Sequence, residues 1–184
     1  MNYIKLNIKV QKAFGNLYRK KLALIAVQDL EGNILVGSKP NFYPEGISRL
    51  LGGGVKNGED KKRGALRELE EELGVIATIN ELVPLINVDI HAIDEEGNVF
   101  ENRTYVFFYK LKGNKYKAGD DVKQIKKLSI DELYQLGENY DSLRENNWYE
   151  GVEGKYSWGD YGKVYGPIHK LTAQKIGGIK RSRK

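Results

Sequence analysis

One stretch, Gly53–Val75 (GGVKNGEDKKRGALRELEEELGV), constrains this chain more than any other. A glycine-rich loop runs into a helical segment, Glu59–Leu73, with Gly74 as its stop. Stepping residues at about 100° places Leu66, Leu69 and Leu73 on one face. Glu68, Glu71 and Glu72 are expected on the opposite side, with Arg67 one turn from Glu71. The leucines require a core layer to pack against.

The three carboxylates are a strain on such a helix. Like charges one turn apart repel by a few tenths of a kcal/mol, roughly, at exposed sites. Two of them also fall near the helix C-terminus, where the macrodipole disfavours anions. A purely structural helix would gain from a lysine at one of these positions. A hard divalent cation reverses the sign of these effects: Mg²⁺ takes oxygen ligands, keeps several waters and shares its shell with substrate phosphates. A solvated acidic face is the plainer alternative, and spacing alone leaves both open.

The remaining sequence predicts the layer. Tyr3–Val10 alternates and reads as a strand; Leu22–Val27 (LALIAV) reads as a buried one, paired through Glu31-Gly32-Asn33 to Ile34–Gly37. Val75–Asp89 reads as extended, Val99–Leu111 as an aromatic, β-branched strand, and Val122–Leu128 as a weaker one. Ser129-x-x-Glu132 is a capping box opening a short helix. Strands, helix, strands, helix in this order predict a mixed sheet with helices packed on it. Beyond Gly137 the composition turns to tyrosine, tryptophan and glycine. Ser142–Trp148 and Ile168–Ile176 are expected to be helical, with the stretch between them an ordered loop.

Composition excludes several function classes. The chain has 184 residues and no cysteine, so it has no disulfide framework, thiolate zinc site or cysteine nucleophile. Two histidines, His91 and His169, are too few for a histidine-rich metal site and read as ordinary polar residues. No apolar run reaches membrane length and the N-terminus lacks a secretory apolar core, so a cytoplasmic protein without a membrane partner is expected. The net charge of +5 sits wholly in residues 175–184 (KIGGIKRSRK), which makes a neutral body with a basic tail. No Gly-Lys-Ser/Thr follows Gly52–Gly54, which removes a P-loop reading.

Gly53, Glu59, Arg67, Glu68, Leu69, Glu71, Glu72, Gly74 and Val75 match every specified position of G-x5-E-x7-R-E-U-x-E-E-x-G-U, with U apolar. The chain therefore resembles the Nudix hydrolase family, over roughly residues 1–136. The resemblance implies an α/β/α sandwich on a mixed β-sheet. It also implies Mg²⁺- or Mn²⁺-dependent hydrolysis of a nucleoside diphosphate linked to another moiety. By position, Glu68, Glu71 and Glu72 would be the metal carboxylates, one of them also activating water. The carbonyl of Gly52 or Gly53 would complete the shell. Arg67 would orient carboxylates, Glu59 would brace the loop, and Asp121 would supply a later acid, with Lys127 standing where an aromatic is common. A homodimer is compatible with the resemblance.

The division expected is a Nudix domain over 1–136, a C-terminal extension over 137–174 packed on it, and a flexible basic tail over 175–184. Phe42, Tyr43 and Arg49, in the segment before the box, are candidates for holding a small-molecule nucleotide, with packing as the alternative for the aromatics. Trp148, Tyr149, Tyr156, Trp158, Tyr161 and Tyr165 read first as a cap over the sheet and second as a stacking platform. Nucleic-acid contact through the tail is a lesser expectation. Substrate markers outside the box give no assignment: Pro84 lies too close to the box for the ADP-ribose pattern, and Ala92–Ile93 stand where dinucleoside polyphosphate enzymes carry tyrosine. A Nudix-fold nucleotide- or RNA-binding module is the alternative to an enzyme, and the intact set of acids favours the enzyme.

Overall fold

A computed structural model describes residues 2–12, 19–39, 42–119, 122–151 and 154–181. Asp121 and the last three residues of the basic tail lie outside the described residues.

Seven strands form one mixed sheet: β1 (Asn2–Lys9), β2 (Lys21–Gln28), β3 (Ile34–Ser38), β4 (Arg49–Gly54), β5 (Val83–Ile93), β6 (Val99–Lys110) and β7 (Gln124–Leu128). Their order is β1-β5-β6-β2-β4-β3-β7, with β1–β5 and β2–β6 parallel and the other neighbours antiparallel. LALIAV is apolar on both faces because both faces are covered. Ala23, Ile25 and Val27 pack with Leu51, Leu69 and Leu73 beneath helix α1 (Lys61–Leu73). Leu22, Leu24 and Ala26 pack on the other face with Leu133, Leu136 and Ile168 from helices α2 (Ile130–Asp141) and α3 (Trp158–Arg181). The three layers are those of the expected sandwich.

Helix α1 begins where its cap dictates. Asp60 accepts from the backbone N–H groups of Lys62 and Arg63, and Glu59 stays outside the helix. The Ser129 capping box of α2 forms as expected. Between α1 and β5 a short 3-10 turn, Ile79–Glu81, interrupts the segment expected to be fully extended, closed by a Thr78–Glu81 box.

The C-terminal region departs most from expectation. Residues 142–147 form turns rather than a helix, and β8 (Trp148–Gly151) pairs with β9 (Gly154–Ser157). The stretch expected to be loop from Trp158 to Pro167 is the first half of α3. Glycine is unfavourable in a helix by about 1 kcal/mol per residue, yet here it permits contact between backbones. A Cβ on Gly162 would sit 2.1 Å from the Tyr140 carbonyl oxygen, and one on Gly137 would sit 2.9 Å from that of Gly166. Tyr161, Tyr165, Ile168, Thr172 and Ile176 give α3 a buried face. Residue 136 falls inside α2, and α3 carries the chain through residue 174 as far as Arg181.

Candidate active site

The glycine loop at the end of β4 lies against the acidic side of α1. Gly52 has φ +122°, and a Cβ there would lie 2.1 Å from the Ala23 carbonyl oxygen, so this residue must be glycine. Its N–H donates to Glu72 Oε2 at 2.6 Å, and its carbonyl accepts from Arg49 Nη2 at 2.8 Å. A Cβ on Gly53 would stand 2.7 Å from both carboxylate oxygens of Glu68. Bare backbone is thus what lets two carboxylates reach the loop.

Arg67 gathers the rest. Its Nε donates to Glu59 Oε1 at 3.0 Å, and Nη1 donates to Glu68 Oε1 at 2.7 Å and Glu71 Oε2 at 3.0 Å. Its Nη2 donates to the Gly54 carbonyl at 2.8 Å. A planar guanidinium can make this fan; a lysine ammonium has no such fork. Glu59 also accepts from the Lys56 N–H, and Arg67 above all holds its carboxyl below the usual range. Arg67 thus bonds three carboxylates and a loop carbonyl at once, and Glu59 joins it to the loop through Lys56.

The three acids are not equivalent, and here the helical reading needs correction. Glu72 does not lie opposite the leucines: it follows Leu69 by three residues, about 60° round the helix, and is buried beneath β4. Burial pushes its carboxyl up to about 7, against the opposing influence of the Arg49 charge and the Gly52 N–H. Burial also raises Glu68, and its bond to Arg67 opposes the rise. Glu71 is 55% exposed.

Tyr43 and Arg49 line a small cavity together with Glu72, Leu51, Val122 and Lys39. Lys39, just past the end of β3, has no motif that marks it in the sequence; the cavity wall it shares with Glu72, whose carboxyl feels its charge, brings it to the site. Phe42 instead packs edge-on against Tyr149 and Trp158, with ring centroids 5.0 and 5.6 Å away. Tyr156, Trp158, Tyr161 and Tyr165 are buried over the sheet, as the packing reading expected. His91 lies on β5 with Glu101 at 3.5 Å, while His169 is buried in α3 against β4.

Among the described residues, no three acidic or histidine side chains stand close enough to hold a metal ion by themselves. The donor set nevertheless suits a hard cation. It consists of oxygens only, two carboxylates are drawn onto the loop backbone, and Glu72 is a desolvated acid that a positive charge would favour as the anion. Beside these acids the Gly119 N–H donates to the Glu72 carbonyl, and Val122 lines the cavity.

An acidic helix and a glycine loop are thus bound together by one arginine on one face of a mixed sheet. The family pattern for the NUDIX domain matches residues 18–147, and the chain belongs to that family. It is 26% identical over 147 residues to an ADP-ribose pyrophosphatase of Methanocaldococcus jannaschii, covering 71% of this chain and 84% of that one. Among solved structures it resembles a MutT protein of Bacillus halodurans at 20% identity, with TM-score 0.52 and coverage of 63% and 72% of the two chains. It also resembles an Ap4A hydrolase of C. elegans at 14% identity, with TM-score 0.51 and coverage of 88% and 98%. The E. coli dihydroneopterin triphosphate pyrophosphohydrolase matches at 17% identity, with TM-score 0.51 and coverage of 64% and 86%. These structural likenesses concern the fold. The chain is a Nudix-type pyrophosphohydrolase, and no helix among its described residues is long and apolar enough to cross a membrane.

Proposed function

We propose that the chain hydrolyses the phosphoanhydride of a nucleoside diphosphate joined to another moiety, with Mg²⁺ or Mn²⁺, and that ADP-ribose is the first substrate to test. The observation that carries the reading is the Arg67 fan, which holds Glu59, Glu68, Glu71 and the Gly54 carbonyl as one unit beside the Glu72–Gly52 bond. The name of the Methanocaldococcus relative supports ADP-ribose.

Glu68, Glu71, Glu72 and the Gly52 carbonyl would hold the metal, with Asp121 as a further acid. The bound metal would neutralise phosphate charge and acidify a water. Arg49 and Lys39, on the wall shared with Glu72, would bind phosphate oxygens, and Tyr43 would bound the pocket beside them. One of the three carboxylates would also accept the proton of the attacking water. Arg67 keeps Glu68 and Glu71 turned to the loop without touching substrate. Water adds to one phosphorus and the other phosphate leaves with the bridging oxygen. ADP-ribose would thus give AMP and ribose 5-phosphate.

Incubation of the protein with ADP-ribose and Mg²⁺, with products separated by chromatography, tests this. Metal-requiring release of both products supports it. No cleavage of ADP-ribose or of any other nucleoside diphosphate derivative would overturn it.

A further inference from the structure

The two peptide groups that flank Arg49 are both held from outside the glycine loop and α1. The Tyr140 hydroxyl, on α2, donates to the Ser48 carbonyl at 2.8 Å. The Leu50 N–H donates to Nε2 of His169, on α3, at 3.1 Å. The Nδ1–H of His169 donates to the Tyr165 carbonyl at 2.7 Å, which fixes the tautomer that leaves Nε2 as an acceptor. The two rings stack with centroids 4.9 Å apart. Ser48, Leu50, Tyr140 and His169 are all buried.

This matters because of where Arg49 points. β4 pairs with β2 only from Leu51 onward, so the peptides at Ser48 and Leu50 are not covered by that ladder. Buried peptide groups need partners, and two side chains supply them. Between these two anchors, the Arg49 side chain reaches the Gly52 carbonyl at 2.8 Å and lines the cavity beside Glu72.

We infer that Tyr140 and His169 are positioning residues: they clamp β4 on either side of Arg49 and so set the Arg49–Gly52 contact at the site. The inference rests on the proposed hydrolytic reading for its kinetic consequence, but not for its geometric one. The clamp comes from α3 and from α2, so α3, all of which lies beyond the matched family span, is part of the apparatus that shapes the loop.

Three variants test it. His169→Gln keeps an acceptor where Nε2 stands; His169→Met keeps length without one; Tyr140→Phe removes one hydroxyl and serves if the Met variant fails to fold. Amide exchange at Leu50 and the side-chain N–H signals of Arg49 are read by NMR, with KM and kcat for ADP-ribose and Mg²⁺ alongside. For His169→Met the expected result is at least tenfold faster exchange at Leu50, loss of the slowed Arg49 side-chain signals, and a KM raised about tenfold with kcat little changed, as for loss of uniform binding. His169→Gln restores all three toward wild type. Tyr140→Phe is expected to shift the Arg49 signals and KM in the same direction. Wild-type Arg49 signals and KM in folded His169→Met or Tyr140→Phe would overturn the inference. Absence of turnover in the wild-type protein would remove the hydrolytic reading alone, and the Arg49 signals would still decide the clamp.

Discussion

Glu72 Oε2 accepts the Gly52 N–H at 2.6 Å, joining the last turn of α1 to the glycine loop of β4 through a buried contact. A carboxylate in this position is costly to desolvate, and the surrounding groups only partly compensate: its proton affinity rises to about 7. A positive charge brought beside it would favour the anion.

Glu72→Gln is therefore expected to lower turnover of ADP-ribose by about a hundredfold or more. The amide oxygen can still accept from Gly52, so thermal unfolding should remain close to wild type. Steady-state kinetics and a melting curve on the same preparation check both halves.

Arg67→Lys keeps the charge and removes the fork. Glu59, Glu68, Glu71 and the Gly54 carbonyl then lose their common donor. Misplacement of reacting groups by an ångström costs about a hundredfold, and a loss of kcat of this order is expected. A variant with wild-type kcat would show that the fan is not needed to orient the acids.

His169 gives the fold a pH dependence. Burial lowers its pKa from 6.5 to about 4, so the unfolded chain binds the proton more readily than the folded one. The stability contribution is complete above pH 6.5 and is lost as the pH falls toward 4. The full span corresponds to about 3 kcal/mol. Urea unfolding across this range should show the decline, and His169→Gln, which cannot titrate, should flatten it.

Gly162→Ala tests the seating of α3. The added methyl meets the Tyr140 carbonyl oxygen at 2.1 Å, so one helix must move. A loss of about 2 kcal/mol is expected from such overpacking, despite the better helix propensity of alanine. A stabilised variant in thermal unfolding would contradict the close α2–α3 contact.

The box is legible because its signals are local: Gly74 ends α1, and the spacing of Arg67, Glu68 and Glu71 is the spacing of one helical face, although the Asp60 cap starts the helix at Lys61 and not at Glu59. LALIAV and the aromatic strand β6 were legible for a similar reason, since their apolar runs reflect covered faces. Glu72 departs from the polar face that its charge suggests because its angle sets it beside Leu69, on the buried side. The start of α3 reads as loop because Gly159, Gly162, Gly166 and Pro167 lower helix propensity; Gly162 and Gly166 answer to close contact with α2, and Gly159 to the Arg144–Glu145 turn that follows it. Lys39 and the roles of Tyr140 and His169 depend on a shared cavity wall and on helices meeting β4, which no local pattern encodes.

The most direct test of the central claim is product analysis of ADP-ribose incubated with wild-type protein in Mg²⁺ and again in EDTA. The account predicts equimolar AMP and ribose 5-phosphate with Mg²⁺, none in EDTA, and recovery when Mg²⁺ is returned. Undiminished cleavage in EDTA, or no cleavage of ADP-ribose or any other nucleoside diphosphate derivative in Mg²⁺, would contradict it.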